Sequence, residues 1–112
     1  MTTYRRGAVV LVEFVFSEGT DTKRRPALLI SSDDYHNSRQ EVIIAAITSN
    51  ITRVLVGDTK LDYWKEAGLQ YPSLVAGIVQ TIKNKMVLRE LGRLSKHDFL
   101  RVEENLKKSM NF

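Results

Sequence analysis

The chain has 112 residues, 17 Lys and Arg against 13 Asp and Glu (formal charge +4), and 43% hydrophobic residues. That size suits one domain over residues 1–112 with one core, and the composition excludes a disordered polyelectrolyte. There is no cysteine, and His36 and His97 lie far apart, which excludes a disulfide framework, a thiolate metal site and a local histidine pair.

The N-terminal "MTTYRRGAVVLVEF" has two arginines followed by an apolar run, but Glu13 interrupts the run and no small-residue cleavage site follows. It reads as a strand rather than a leader. "VVLVEFVF" (9–16) is β-branched and aromatic and too short for a typical helix. The polar "SEGTDTK" after it reads as a loop. "RRPALLIS" is the second strand, and Pro26 should begin it or lie on an edge, because proline cannot donate to a ladder. Proline also holds Arg25 extended. "SSDDYHNSRQ" accommodates a helical turn capped by Ser32 or Asp33, with His36 read as a surface residue. "EVIIAAIT" (41–48) is almost wholly apolar and therefore central.

"SNITRVLVGDT" is expected to hold a further short strand between Asn50 and Gly57. "KLDYWKEAGL" reads as a short helix ended by Gly68. "PSLVAGIVQTI" returns to β character, with Gly77 marking a bulge or a close approach. The last segment is the clearest helix. Ser95 and Asp98 form a variant of the capping box, and Phe99, Val102, Leu106 and Met110 recur at helical spacing. No apolar run approaches the roughly 20 residues needed to span a bilayer. The residues predict a small α+β domain, mostly antiparallel sheet, closed by a C-terminal helix.

Taken together and in order, "RRGAVVLVEFVF", "KRRPALLISSDDYH", "VIIAAITSN", "YPSLV", "TIKNK" and "LGRLSKHDFLRVEENL" resemble the MazF/PemK family of toxin endoribonucleases. The resemblance implies a small SH3-like twisted β-barrel of the CcdB/MazF/PemK kind with a C-terminal helix, assembled as a homodimer. It implies a type II toxin that cuts single-stranded RNA, often mRNA, at short motifs without metal or cofactor. A cognate acidic antitoxin would cover the RNA groove, in a reducing cytoplasm and away from any membrane. The family's arginine before proline falls on Arg25, and its threonine at the end of the next strand falls on Thr48. Both imply catalytic roles. Ser49 matches an RNA-contact position. Lys23, Arg24 and the loop residue Glu18 complete the expected RNA-binding set. Where many members carry an acid, Gln and Arg before a "T-I" pair, this chain has Gly77, Ile78 and Gln80.

These residue types suit the chemistry. Metal-free RNA cleavage uses the neighbouring 2′-hydroxyl as nucleophile and builds negative charge on the phosphorane. A guanidinium stays charged and presents a planar fork to phosphate oxygens. Thr48 can donate a hydrogen bond but is no strong base. Glu18 and Asp21 could reach the site from the loop, although solvated turn residues are the commoner case. Tyr63 and Trp64 could stack bases, yet core or dimer packing is the better reading of a half-apolar segment. Lys83 and Lys85 fit a phosphate contact and a solvated face equally well. Two alternatives of other classes stay open: a non-enzymatic CcdB-like gyrase poison, which has no need of the Arg25/Thr48 pair, and an inactive RNA-binding barrel.

Overall fold

The computed structural model describes residues 4–15 and 21–112. Phe16, Glu18 and most of the expected polar loop lie outside them. The elements in chain order are β1 (Ala8–Val15), β2 (Thr22–Leu29), α1 (Asp33–Ser38), β3 (Glu41–Thr48), β4 (Thr59–Lys60), β5 (Leu74–Lys83), β6 (Val87–Arg93) and α2 (Lys96–Met110). The strands form one antiparallel sheet in the order β4-β5-β3-β2-β1-β6.

The apolar runs of β1, β2 and β3 are explained by burial on both faces of this sheet. Val9, Leu28, Ala45 and Ile47 point to one face, where Val102 and Leu106 of α2 cover them. Their chain neighbours Val10, Ala27, Leu29 and Ile44 point to the other, joined by Val12, Val42 and Ile82. On that second face the sheet curls so that its own strands pack against one another. The result is the twisted α+β architecture expected from the sequence.

Three segments depart from expectation. Residues 49–58 form no strand, and β4 is only two residues long. Val54, Leu55 and Val56 are exposed, so their apolar side chains have no sheet to join. The segment 60–69 is a compact turn rather than a helix. Its bonds run from Ala67 to Tyr63, Gly68 to Lys65 and Leu69 to Trp64, a different span at each step. Gly68 ends it at a φ of +86°, where a Cβ would lie 2.2 Å from the Leu91 carbonyl oxygen. β6 is a strand that hydropathy did not signal, because Leu88, Arg89 and Glu90 are all exposed.

Other local readings hold. Ser32 caps α1 by accepting the Tyr35 N–H, and Ser95 caps α2 by accepting that of Asp98. Gly77 sits where the β3–β5 register shifts, and its backbone meets that of Gly57. Asp98 corrects the capping-box reading. It is fully buried, and its carboxylate accepts from the backbone N–H groups of Asp62 and Tyr63 and from Arg101. His36 is likewise no surface residue. It is 1% exposed, with Nε2 paired to the Ser31 hydroxyl, which also accepts from the Ile43 N–H. Trp64 packs on the core beneath α2, while Tyr63 stays half exposed and meets His97 edge-on.

Candidate active site

The site begins where two strands part. β2 pairs with β3 only through Ala27, Leu28 and Leu29. Continuing that ladder would set Pro26 against Ile47 and Arg25 against Thr48. Pro26 has no N–H to extend it, and the ladder stops. From there outward β2 pairs with β1 alone, while Ile47 and Thr48 pair with β5. The two strands therefore fork, and the gap opens into a cavity of about 720 Å³.

Arg24, Arg25, Thr48 and Ser49 all line this cavity. The fork places residues from both faces of β2 on its wall. Lys23 is exposed further out along β2 and is not on the wall. Glu18 falls outside the described residues. Lys83 is tied to Glu41 on the far part of the sheet, and neither it nor Lys85 lines the cavity.

The two expected catalytic side chains are poised differently. Arg25 makes no hydrogen bond or ion pair with the described residues. Arg24 does: its Nε donates to Glu13 at 3.3 Å. The Thr48 hydroxyl oxygen accepts the Asn50 backbone N–H at 3.1 Å. That contact occupies a lone pair and leaves the hydroxyl proton free to be donated. Asn50 is itself oriented, its carbonyl oxygen accepting from both the backbone N–H and the hydroxyl of Thr52. Its amide N–H groups remain as donors on the wall.

The remaining wall comes from segments that sequence reasoning did not connect to the site. Gln70, Tyr71 and Ser73 follow the 60–69 turn, Gln80 comes from β5, and Arg89 and Leu91 from β6. Leu11, Phe14 and Leu69 supply apolar surface between them. No described residue on the wall is a carboxylate or a histidine.

Asp62, His97 and Asp98 bring potential ligand atoms within 4.8 Å of one another. Arg101 already donates to both Asp62 and Asp98, so a cation already engages both carboxylates. A hydrogen bond from His97 and the charge of Arg101 hold the Asp62 carboxyl below its ordinary range. None of the three lines the cavity. They are better suited to fastening α2 to the 60–69 turn than to holding a metal.

The fold has close counterparts among solved structures. MazF in a MazE–MazF complex from Deinococcus radiodurans matches with a TM-score of 0.82 at 16% identity, covering 100% of this chain and 99% of that one. An endoribonuclease in complex with its cognate antitoxin, from a mycobacterial species, matches at 0.79 and 13% identity, over 98% and 97%. The Mycobacterium tuberculosis toxin MazF-mt6 matches at 0.77 and 22% identity, over 94% and 97%. At these identities the likeness is one of fold. No curated protein matches the chain in sequence. Residues 5–110, nearly the whole chain, match the family model for PemK-like, MazF-like toxins of type II toxin–antitoxin systems, and the chain belongs to that family.

Proposed function

We propose that this toxin acts as an endoribonuclease on single-stranded RNA, cutting at short motifs, with the β2–β3 fork as its active site. One observation carries the reading. The fork joins a guanidinium with no partner among the described residues to a hydroxyl whose oxygen is already engaged as an acceptor. Such a pair suits a phosphate that gains negative charge as it reacts.

The reaction runs within the RNA. The 2′-oxygen attacks the adjacent phosphorus and loses its proton. The bond to the 5′-oxygen breaks, and that oxygen takes up a proton as it leaves. The products are a 2′,3′-cyclic phosphate and a 5′-hydroxyl. Arg25 holds the non-bridging oxygens through charge-assisted bonds, and Thr48 donates a further hydrogen bond. This scheme calls on no metal or cofactor. Arg24, partly neutralised by Glu13, and Ser49 bind RNA beside the reacting phosphate; Lys23 and Glu18 are assigned to RNA contact from the sequence alone.

The test is a long single-stranded RNA incubated with purified protein in excess EDTA. Fragments with 5′-hydroxyl and cyclic-phosphate ends support the assignment; intact RNA, or 5′-phosphate ends, overturns it. Two solved relatives are complexes with antitoxins, and an acidic antitoxin segment suits the cationic lip of this cavity. We also assign a homodimer. Val54, Leu55, Val56 and Ile78 are exposed apolar residues, brought near one another by the Gly57–Gly77 contact, and a patch of this kind marks an interface. A monomer mass by sedimentation at micromolar concentration would refute that assignment.

A further inference from the structure

The chain has nine arginines, and six of them are tied down. Arg5 pairs with Asp33, Arg6 with Glu103, Arg24 with Glu13 and Arg39 with Glu41. Arg93 donates to the Arg6 carbonyl, and Arg101 pairs with Asp62 and Asp98. Among the described residues Arg25, Arg53 and Arg89 make no such bond. Two of these three, Arg25 and Arg89, line the same cavity. Two unpaired guanidiniums on one concave wall repel each other, and the arrangement is relieved when an anion enters between them.

The register fixes how far apart they sit. Arg89 pairs with Leu11, and Leu11 pairs with Pro26. All three line the cavity as one row across three strands. With strands about 4.8 Å apart, the Arg89 backbone lies roughly 10 Å from that of Pro26, on the side of β1 away from Arg25. Leu11 is the apolar floor between the two cations, extended by Leu91 on the Arg89 side. An arginine stem can lie along such a floor while its head stays in water.

Tyr71 stands on the same wall and is 63% exposed. Its backbone is held on both sides: Pro72 restricts it to an extended conformation, and the Ser73 hydroxyl donates to its carbonyl. An exposed aromatic on a fixed backbone beside a cationic row suits base stacking.

We propose that Arg89 is the second phosphate ligand of the cleft and that Tyr71 stacks a base beside it. The cleft then takes single-stranded RNA across two phosphates, the scissile one at Arg25 and a flanking one at Arg89. This inference rests on the endoribonuclease reading and adds residues that reading does not require.

The probe is a fluorescent RNA carrying 2′-O-methyl groups throughout, which binds but cannot be cut. Affinity is measured by anisotropy at several salt concentrations. Arg89→Gln is expected to weaken binding about tenfold at low salt and to lower the slope of log K against log salt by about 0.7, the value for one contact to a single strand. Arg89→Lys should restore the slope. Tyr71→Ala should weaken binding by roughly tenfold with the slope unchanged. Lys107→Gln, at the far end of α2, is the control for net charge. An Arg89→Gln protein indistinguishable from Lys107→Gln overturns the proposal, as does an equal loss of affinity for a polyglutamate peptide. If native RNA is cut but Arg89→Gln binds like wild type, this inference alone fails. If Arg89 and Tyr71 govern binding but native RNA is never cut, the endoribonuclease reading alone fails.

Discussion

Arg25→Ala separates a catalytic guanidinium from a residue that merely decorates the rim. The side chain is exposed and makes no bond among the described residues, while its backbone pairs with Val12 in the β1–β2 ladder. Truncation at such a position leaves stability within about 0.5 kcal/mol of wild type. The effect on the reaction should be far larger. Removing one donor aimed at a developing oxyanion costs on the order of a hundredfold to a thousandfold, about 3–4 kcal/mol. The assay is single-turnover cleavage of one RNA at saturating protein, which removes any contribution from weaker binding. Melting curves run alongside. Arg25→Lys keeps the charge but loses the planar fork, and should recover only part of the rate. Arg24→Ala serves as the comparison. Its charge is already shared with Glu13, so its loss should appear in affinity and shrink at high salt. A wild-type rate for Arg25→Ala at saturation refutes the reasoning, and so does an inactive variant whose melting temperature has collapsed.

Thr48→Val should lower the single-turnover rate by about tenfold or more, whereas Thr48→Ser, which keeps the donor, should stay near wild type; equal rates for both would remove the hydroxyl from the mechanism. Asp98→Ala should destabilise the fold by about 2–3 kcal/mol in urea titration, since it strands the backbone donors of Asp62 and Tyr63 together with Arg101. Glu41 lies below its ordinary carboxyl value of 4.5, held there by hydrogen bonds from Arg39 and then Lys83. A depressed folded-state value means that its contribution is complete above the unfolded value and is lost as pH falls through the folded one. Glu41→Gln should therefore lower stability slightly near pH 7, leave it unchanged in acid where Glu41 is protonated, and so flatten the acid limb below about pH 4.5; an unaltered limb would contradict this sign.

Sequence pattern located the elements whose burial is regular. β1 and β3 are apolar along most of their length because both faces of the sheet are covered, and α2 declares itself through Val102 and Leu106. The readings failed where tertiary contacts override local preference. The 60–69 segment has apolar residues at helical spacing, and Asp98 of α2 accepts its opening N–H groups much as a cap would. Its exit is set by Gly68 passing the Leu91 carbonyl, which leaves room for a single irregular turn. β6 was hidden for the opposite reason. It is held by its ladder to β1 while exposing three consecutive side chains, so no hydrophobic period marks it. His36 sits in a polar tract, yet the Ser31 hydroxyl gives it a buried partner, which composition does not reveal.

The same contrast runs through the site. Arg25 and Thr48 were legible as cavity-lining residues because the family resemblance pointed to them and a proline and a strand end mark their places in the chain. Arg89 and Tyr71 were not, since they meet the others only through strand register and through a turn whose course depends on β6. Pro26 ties these layers together. By ending the β2–β3 ladder it turns two neighbouring strands into the walls of a cavity. It also fixes Arg25 in an extended backbone one residue before the fork. The apolar residues just inside, Ala27 to Leu29, anchor β2 between β1 and β3 in the two cores. A mobile loop would lose conformational entropy each time it presented a cation to phosphate. Here the core supplies that order in advance, and Arg25 and Arg89 have no partner among the described residues on the cavity wall.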